Sequence, residues 1–180
     1  MERILENYGV KLVLLSHDKI EMIRQWRNAP KISQYMEYRE EISPQMQERW
    51  FESINNDRNL YYIIQYKEVE IGLINIKDID IEKSDGESGV FIYEDRFLNS
   101  DISYRAHLCL FDYYFIDLNY KKLHAHVLAS NKRASRLTLF MGYKQVSETE
   151  FVLSKDDYLN NSNRSRFINK FNKLRNSKND

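Results

Sequence analysis

The chain is 180 residues long and carries 27 Lys and Arg against 27 Asp and Glu, a formal charge of zero. That length suits one domain that folds without disulfide or metal staples, and 13 Tyr and 9 Phe with only 2 Pro exclude a disordered chain. Zero charge also argues against a nucleic-acid footprint over the whole domain, because phosphate binding needs a basic excess somewhere on the surface.

The zero is a cancellation. Residues 160–180 hold six Lys or Arg and a single acid, Asp180, so they contribute +5 and the remainder of the chain −5. Cys109, the one cysteine, lies in an apolar run and is expected buried, with no internal disulfide to form. The N-terminus lacks an apolar stretch of signal-peptide length, and no run reaches the roughly 18 apolar residues of a spanning helix, so a cytoplasmic protein without a membrane span is expected.

In chain order, residues 10–15 read as a strand. Asp18 with Glu21 resembles a capping box opening a helix through Ile20, Ile23 and Arg27, stopped before Pro30. Ser43-Pro44 starts a second helix with Met46, Trp50 and Ile54 on one face. Residues 60–66 and 69–76, split by Lys67-Glu68, read as a hairpin, and Ser84-Asp85-Gly86 as a turn into a strand over 87–93. Residues 100–117 carry two apolar stripes, one ending in Phe115 and Leu118, which predicts a buried helix. A strand over 123–129, a helix over 131–141 stopped by Gly142, and a last strand or tight pair of strands over 143–153 complete an α/β sandwich with a mixed sheet. Residues 160–180 form a basic, Asn-rich tail, set apart from a domain over 1–159; Phe167, Ile168, Phe171 and Leu174 give it one helical apolar stripe, for packing on the domain or for docking a partner or anionic surface.

The run Glu87-Ser88-Gly89-Val90-Phe91-Ile92-Tyr93, followed by a loop, a long helix, a strand, Asn131-Lys132-Arg133-Ala134 and Met141-Gly142-Tyr143, resembles the core of the GNAT acyl-CoA N-acyltransferase superfamily. The resemblance implies the GNAT fold, with a mostly antiparallel sheet splayed between two parallel strands and flanked by helices, and acetyl-CoA as co-substrate without a metal. It implies coenzyme contacts from Phe91, Ile92 and Tyr93, from the turn Leu98-Asn99-Ser100-Asp101-Ile102-Ser103, and from Asn131 and Ser135. A helix starting near Ser100 suits a diphosphate in any case, because its unpaired N–H groups and dipole face the preceding turn. The turn departs from the family's R-G-x-G-x-G/A pattern: it has no glycine and carries Asp101, either in a left-handed conformation that Asn and Asp tolerate or as a cap competing for the same N–H groups. Asn131 suits a pantetheine amide and equally an ordinary helix N-cap.

Acetyl transfer to an amine needs a neutral nucleophile. Glu87 matches the position of the family's base; a solvated acid at a strand start is the plainer alternative. The family's acidic tyrosine falls on Thr138, which leaves water, Ser135 or Tyr143 to protonate the departing thiolate. Trp26-Arg27-Asn28, Gln34-Tyr35-Met36 and Ile42-Ser43-Pro44 resemble the first helical region of the branch holding amino-sugar N-acetyltransferases of the pseudaminic-acid type and ribosomal-protein N-terminal acetyltransferases. That resemblance implies Arg27, Asn28, Tyr35 and Met36 as acceptor contacts, and a small amine, most plausibly a nucleotide-linked amino sugar destined for a surface polysaccharide, as substrate. A protein N-terminus and a catalytically inactive binding module are the alternatives; a homodimer is compatible with all three. His124 and His126 share a strand face, but too few ligands surround them for a metal site.

Overall fold

The computed structural model describes residues 2–177; Met1 and residues 178–180, including the tail acid Asp180, lie outside them. Eight strands form one sheet in the order β1-β2-β3-β4-β5-β6-β8-β7. They are β1 (Ile4–Asn7), β2 (Val10–Leu14), β3 (Leu60–Tyr66), β4 (Val69–Asp80), β5 (Asp85–Ile92), β6 (Lys122–His126), β7 (Lys144–Gln145) and β8 (Glu150–Ser154). Every pairing is antiparallel except β5 with β6. The Lys67-Glu68 turn closes its hairpin with both residues at positive φ, the twist that two-residue hairpins need.

The helices divide between the two faces. On one face α1 (Ile20–Asn28), the single turn α2 (Pro30–Ser33) and α3 (Pro44–Ile54) cover Tyr61, Ile63, Leu73 and Phe91. The Ser43 hydroxyl caps α3 by accepting from the Met46 N–H at 3.2 Å. On the other face α4 (Ile102–Asp112) is nearly all buried, with Ala106, Leu108, Leu110 and Phe111 fully enclosed. Cys109 is buried beside them, and burial pushes its thiol up to about 12, which rules it out as a nucleophile. Helix α5 (Lys132–Phe140) follows β6, and α6 (Lys155–Leu159) and α7 (Ser162–Asn176) end the fold.

Several boundaries differ from the sequence reading. Strand β1 carries no apolar pattern, three of its four residues being exposed, so only its hydrogen bonds to β2 define it. The long helix is α-helical only to Asp112; Tyr113–Asp117 is a π turn, and Leu118, placed on a buried stripe, is exposed. In the proposed turn only Ser84 is left-handed, and strand β5 already begins at Asp85. Of the tail stripe, Phe167, Ile168 and Phe171 pack on the α4 side while Leu174 is exposed. Helix α7 is tied down by one buried polar knot on Asp112: its carboxylate accepts from Tyr8 Oη at 2.5 Å, Tyr158 Oη at 2.6 Å and Arg164 Nη2 at 2.8 Å.

Candidate active site

Strands β5 and β6 are bonded only from Asp85–Lys122 to Glu87–His124, and beyond that they part. The vertex is pinned by Ser88, whose Oγ donates to the His124 carbonyl at 3.3 Å and lies 2.6 Å from Tyr143 Oη. Because the two strands are parallel, the helices that follow them, α4 and α5, both start beyond the open end of the split. A crevice at the carboxyl ends of diverging parallel strands is the usual ligand site of such sheets.

One side of the crevice is built from the heads of those two helices. Asp101 is the N-cap of α4 but makes no capping bond; its Oδ2 pairs instead with Arg105 Nη2 at 2.8 Å. The acid is thereby neutralised locally, and among the described residues the N–H groups of Ser103 and Tyr104 are left without acceptors. None of residues 98–103 has positive φ, so the turn does not use the left-handed conformation that Asn and Asp tolerate. It is built from a 3-10 turn, Asp95–Phe97, and from Ser100, whose Oγ donates to Phe97 O at 2.7 Å and accepts from Ile102 N at 3.3 Å. Leu98 and Ile102 pack into the core, and Asn99 is exposed. Uncapped N–H groups, a positive dipole end and a neutralised acid fit a diphosphate.

Phe91 and Tyr93 turn their rings to the roof, where Trp26 meets Phe91 edge-on at 6.3 Å and stacks on Tyr93 at 5.1 Å, while Ile92 is buried. The backbone of Tyr93 is already taken, its N–H donating to Ile71 O at 2.8 Å and its carbonyl accepting from Lys31 Nζ at 2.6 Å. Asn131 Oδ1 caps α5 by accepting from the Ala134 N–H at 3.1 Å, and the Ser135 hydroxyl donates to the Asn131 carbonyl at 3.2 Å. Tyr143 is buried at the vertex and its hydroxyl pKa is raised by desolvation, so it is a poor proton donor. Gly142 precedes it at φ +100°, and a Cβ there would stand 2.5 Å from Asn161 Nδ2.

On the roofed face, alternation places Asn75, Lys77, Glu87, Gly89 and His126 under α1 and the α2–α3 loop. Glu87 pairs with Lys77, its cross-strand partner, at 3.1 Å. The Asn75 amide lies over Gly89, where a Cβ would meet Oδ1 at 2.9 Å and push the amide aside. Arg27 is half-buried with its Nε fully enclosed and unpartnered, and it makes no ion pair among the described residues. Burial lowers its pKa, and the nearby Tyr61 hydroxyl is pushed up to about 12, also by burial. Asn28 is committed to bracing, donating to Ile42 O and accepting from Ile42 N at 2.9 Å each. Tyr35 is exposed and Met36 half-buried on the loop. Lys77, Tyr61, Glu37 and His126 were not singled out as site residues from the sequence; the polar Asn75 and Lys77 alternating with Ile74 and Ile76 are the signal that marks the β4 half of this group.

Comparison with known proteins agrees with this architecture. The model of the acetyltransferase (GNAT) domain matches residues 10–144. A spermidine N-acetyltransferase from Vibrio cholerae, solved with CoA and spermine, superposes with a TM-score of 0.71 at 20% identity, over 86% of this chain and 100% of that one. A dodecameric form of the Vibrio cholerae spermidine N-acetyltransferase gives 0.71 at 19% identity, over 87% and 99%. A domain from Methanocaldococcus jannaschii gives 0.69 at 18% identity, over 81% and 97%. No curated protein sequence matches the chain. With three quarters of its length inside the family model and the split sheet and helix heads in the matching order, the chain belongs to the GNAT acetyltransferase domain family.

Proposed function

We propose that this acetyltransferase moves an acetyl group from acetyl-CoA to the amine of a small anionic acceptor, a nucleotide-linked amino sugar. The observation that carries the acceptor class is Arg27. A desolvated guanidinium with an unpartnered Nε and no carboxylate costs stability, and a phosphate oxygen is the natural complement to its planar fork. Asn28 and Ile42 hold the roof, and the exposed Tyr35 and half-buried Met36 offer apolar surface for a base or sugar face.

Acetyl-CoA, when bound, supplies the thioester carbonyl at which the amine's new N–C bond forms as the C–S bond breaks. The N–H groups of Ser103 and Tyr104 and the turn 98–103 would hold its diphosphate, and the β5 edge at Phe91 and Ile92, beyond its pairing with β6, would hold its arm with Asn131 and Ser135. Glu87 takes the proton that the attacking ammonium must lose, directly or through water, while Lys77 fixes the carboxylate in place. Ser135 donates to a backbone carbonyl and Tyr143 is buried at Ser88, so water returns the proton to the thiolate.

A polycationic amine is the second reading, favoured by Glu37, Glu40 and Glu41 on the roof loop and by the spermine bound to the Vibrio cholerae enzyme. Calorimetric titration with acetyl-CoA comes first; no heat of binding across a range of salt would sink both readings and leave a non-catalytic binding module. Acetylation of a uridine-diphosphate amino sugar, of spermidine and of a peptide N-terminus is then followed by mass. Arg27→Ala is expected to raise KM for the nucleotide-linked sugar and leave that for the free amino sugar unchanged. Preferred turnover of spermidine would overturn the first reading in favour of the second.

A further inference from the structure

The Glu37 carboxylate and the His126 imidazole join the roof to the sheet. Residues 34–43 connect α2 to α3. Their far end is fixed at Ile42, bonded by Asn28 and by Arg24 Nη1 at 2.9 Å. Residues 37–41 are all exposed, so burial does not hold the middle of the loop. There, Glu37 Oε1 lies 3.1 Å from Nε2 of His126 on β6.

The imidazole is aimed by its other nitrogen. Nδ1 is 2.6 Å from Glu150 Oε1, and Glu150 is the β8 residue directly opposite His126 in the ladder. Along β6, Leu123 and Ala125 point into the core, which puts His124 and His126 on the roofed side. The charged groups facing His126 are Glu37 from the loop, Glu150 from β8 and Glu87 from β5, the last already paired with Lys77. All three acids favour the imidazolium, the Glu150 bond most strongly, and the ring titrates above its ordinary value. His124, on the same face, is occupied by Asp85 at 3.3 Å, a carboxylate it shares with Lys122 at 3.4 Å.

We infer that His126 is a positioning residue of the acceptor site: as an imidazolium it straps Glu37 to the sheet and holds the roof loop closed over Glu87, and it releases the loop on losing its proton. The location of the acceptor rests on the proposed function; the strap itself does not. The two proton requirements then oppose each other. Rising pH frees the acceptor amine for attack and at the same time opens the roof that retains it.

Hydrogen exchange on the full chain tests the strap without any ligand. Glu37 is 74% exposed at its side chain, so Glu37→Gln is expected to fold as the parent does. At pH 6, below the ordinary imidazole value, the amides of residues 34–41 should exchange about fivefold faster in Glu37→Gln, the scale of one exposed to half-buried ion pair, while those of β3 and β4 stay unchanged. After correction for intrinsic rates, the parent should approach the variant as pH rises. His126→Lys, with a charge that persists to higher pH, should delay that opening. Equal exchange in parent and Glu37→Gln overturns the strap, whatever the acceptor. With the uridine-diphosphate amino sugar, Glu37→Gln should raise acceptor KM about fivefold and leave kcat and the KM for acetyl-CoA in place. An opened loop with unchanged acceptor KM overturns the positioning role. Failure of every acceptor to be acetylated counts against the proposed function instead, and the exchange result still decides the strap.

Discussion

His107 gives a stability prediction with a definite sign. It lies on the buried side of α4, 7% exposed, with Nδ1 2.7 Å from the Ser103 carbonyl and the Phe111 ring edge-on at 5.3 Å. Burial outweighs that bond and pushes the imidazole down to about 4 from 6.5. The unfolded chain therefore takes up a proton before the folded one as pH falls. Stability is full above pH 6.5 and drains away between 6.5 and about 4, the loss reaching roughly 2 kcal/mol at pH 5 and about 3 kcal/mol by pH 4. His107→Gln keeps an amide donor for Ser103 O and removes the titration. Urea unfolding of both proteins at pH 8, 7, 6 and 5 isolates the difference, because carboxylates that titrate in the same range are common to both. The variant should gain on the parent by roughly 2 kcal/mol between pH 7 and pH 5. Parallel stability curves would refute the idea that this imidazole is held neutral by burial.

Three further outcomes follow from the same contacts. Asp112→Asn unties Tyr8, Tyr158 and Arg164 together and strands the half-buried guanidinium, so denaturant unfolding should show a loss of about 3–5 kcal/mol. Glu87→Gln should lower kcat by roughly 100-fold or more and flatten the alkaline-rising limb of the pH–rate profile; an unchanged profile removes Glu87 as the base. Gly142→Ala forces a side chain into φ +100° and against Asn161, and should cost about 1–3 kcal/mol by thermal unfolding, most of it as strain that Asn161→Ala only partly relieves.

What the sequence made legible was whatever rests on apolar periodicity or local chemistry. Met46, Trp50 and Ile54 at helical spacing behind Ser43-Pro44 give α3 and its cap, and the alternation in residues 60–76 gives the β3–β4 hairpin. Asn131 is recognisable because capping is a local bond. Strand β1 escaped because an edge strand needs only a partner's backbone, and Leu118 misled because a π turn rotates the stripe off the core. The acceptor face was the least legible. Lys77 and Glu87 are ten positions apart in sequence, Glu37 and His126 almost ninety, and only sheet register and loop closure bring each pair to 3.1 Å.

The zero net charge of the sequence includes charges that the fold pairs off one against another. Helix α7 carries Arg164 inward to Asp112, so that cation is spent on folding, while Arg166, Lys170 and Lys173 stay exposed. The same helix packs Phe167 edge-on to Tyr104 at 5.2 Å and, with Phe171, under the Arg105 guanidinium. Those contacts set α7 beside the first turn of α4. A turn without glycines, with an acid at its cap, would be a weak diphosphate site in an acidic body. Arg105 cancels that acid at contact distance. The roof loop presents Glu37, Arg39, Glu40 and Glu41. The zero of the composition is therefore in part a balance of charges already spent on folding, Arg164 on Asp112 and Arg105 on Asp101, with exposed charges of both signs left over.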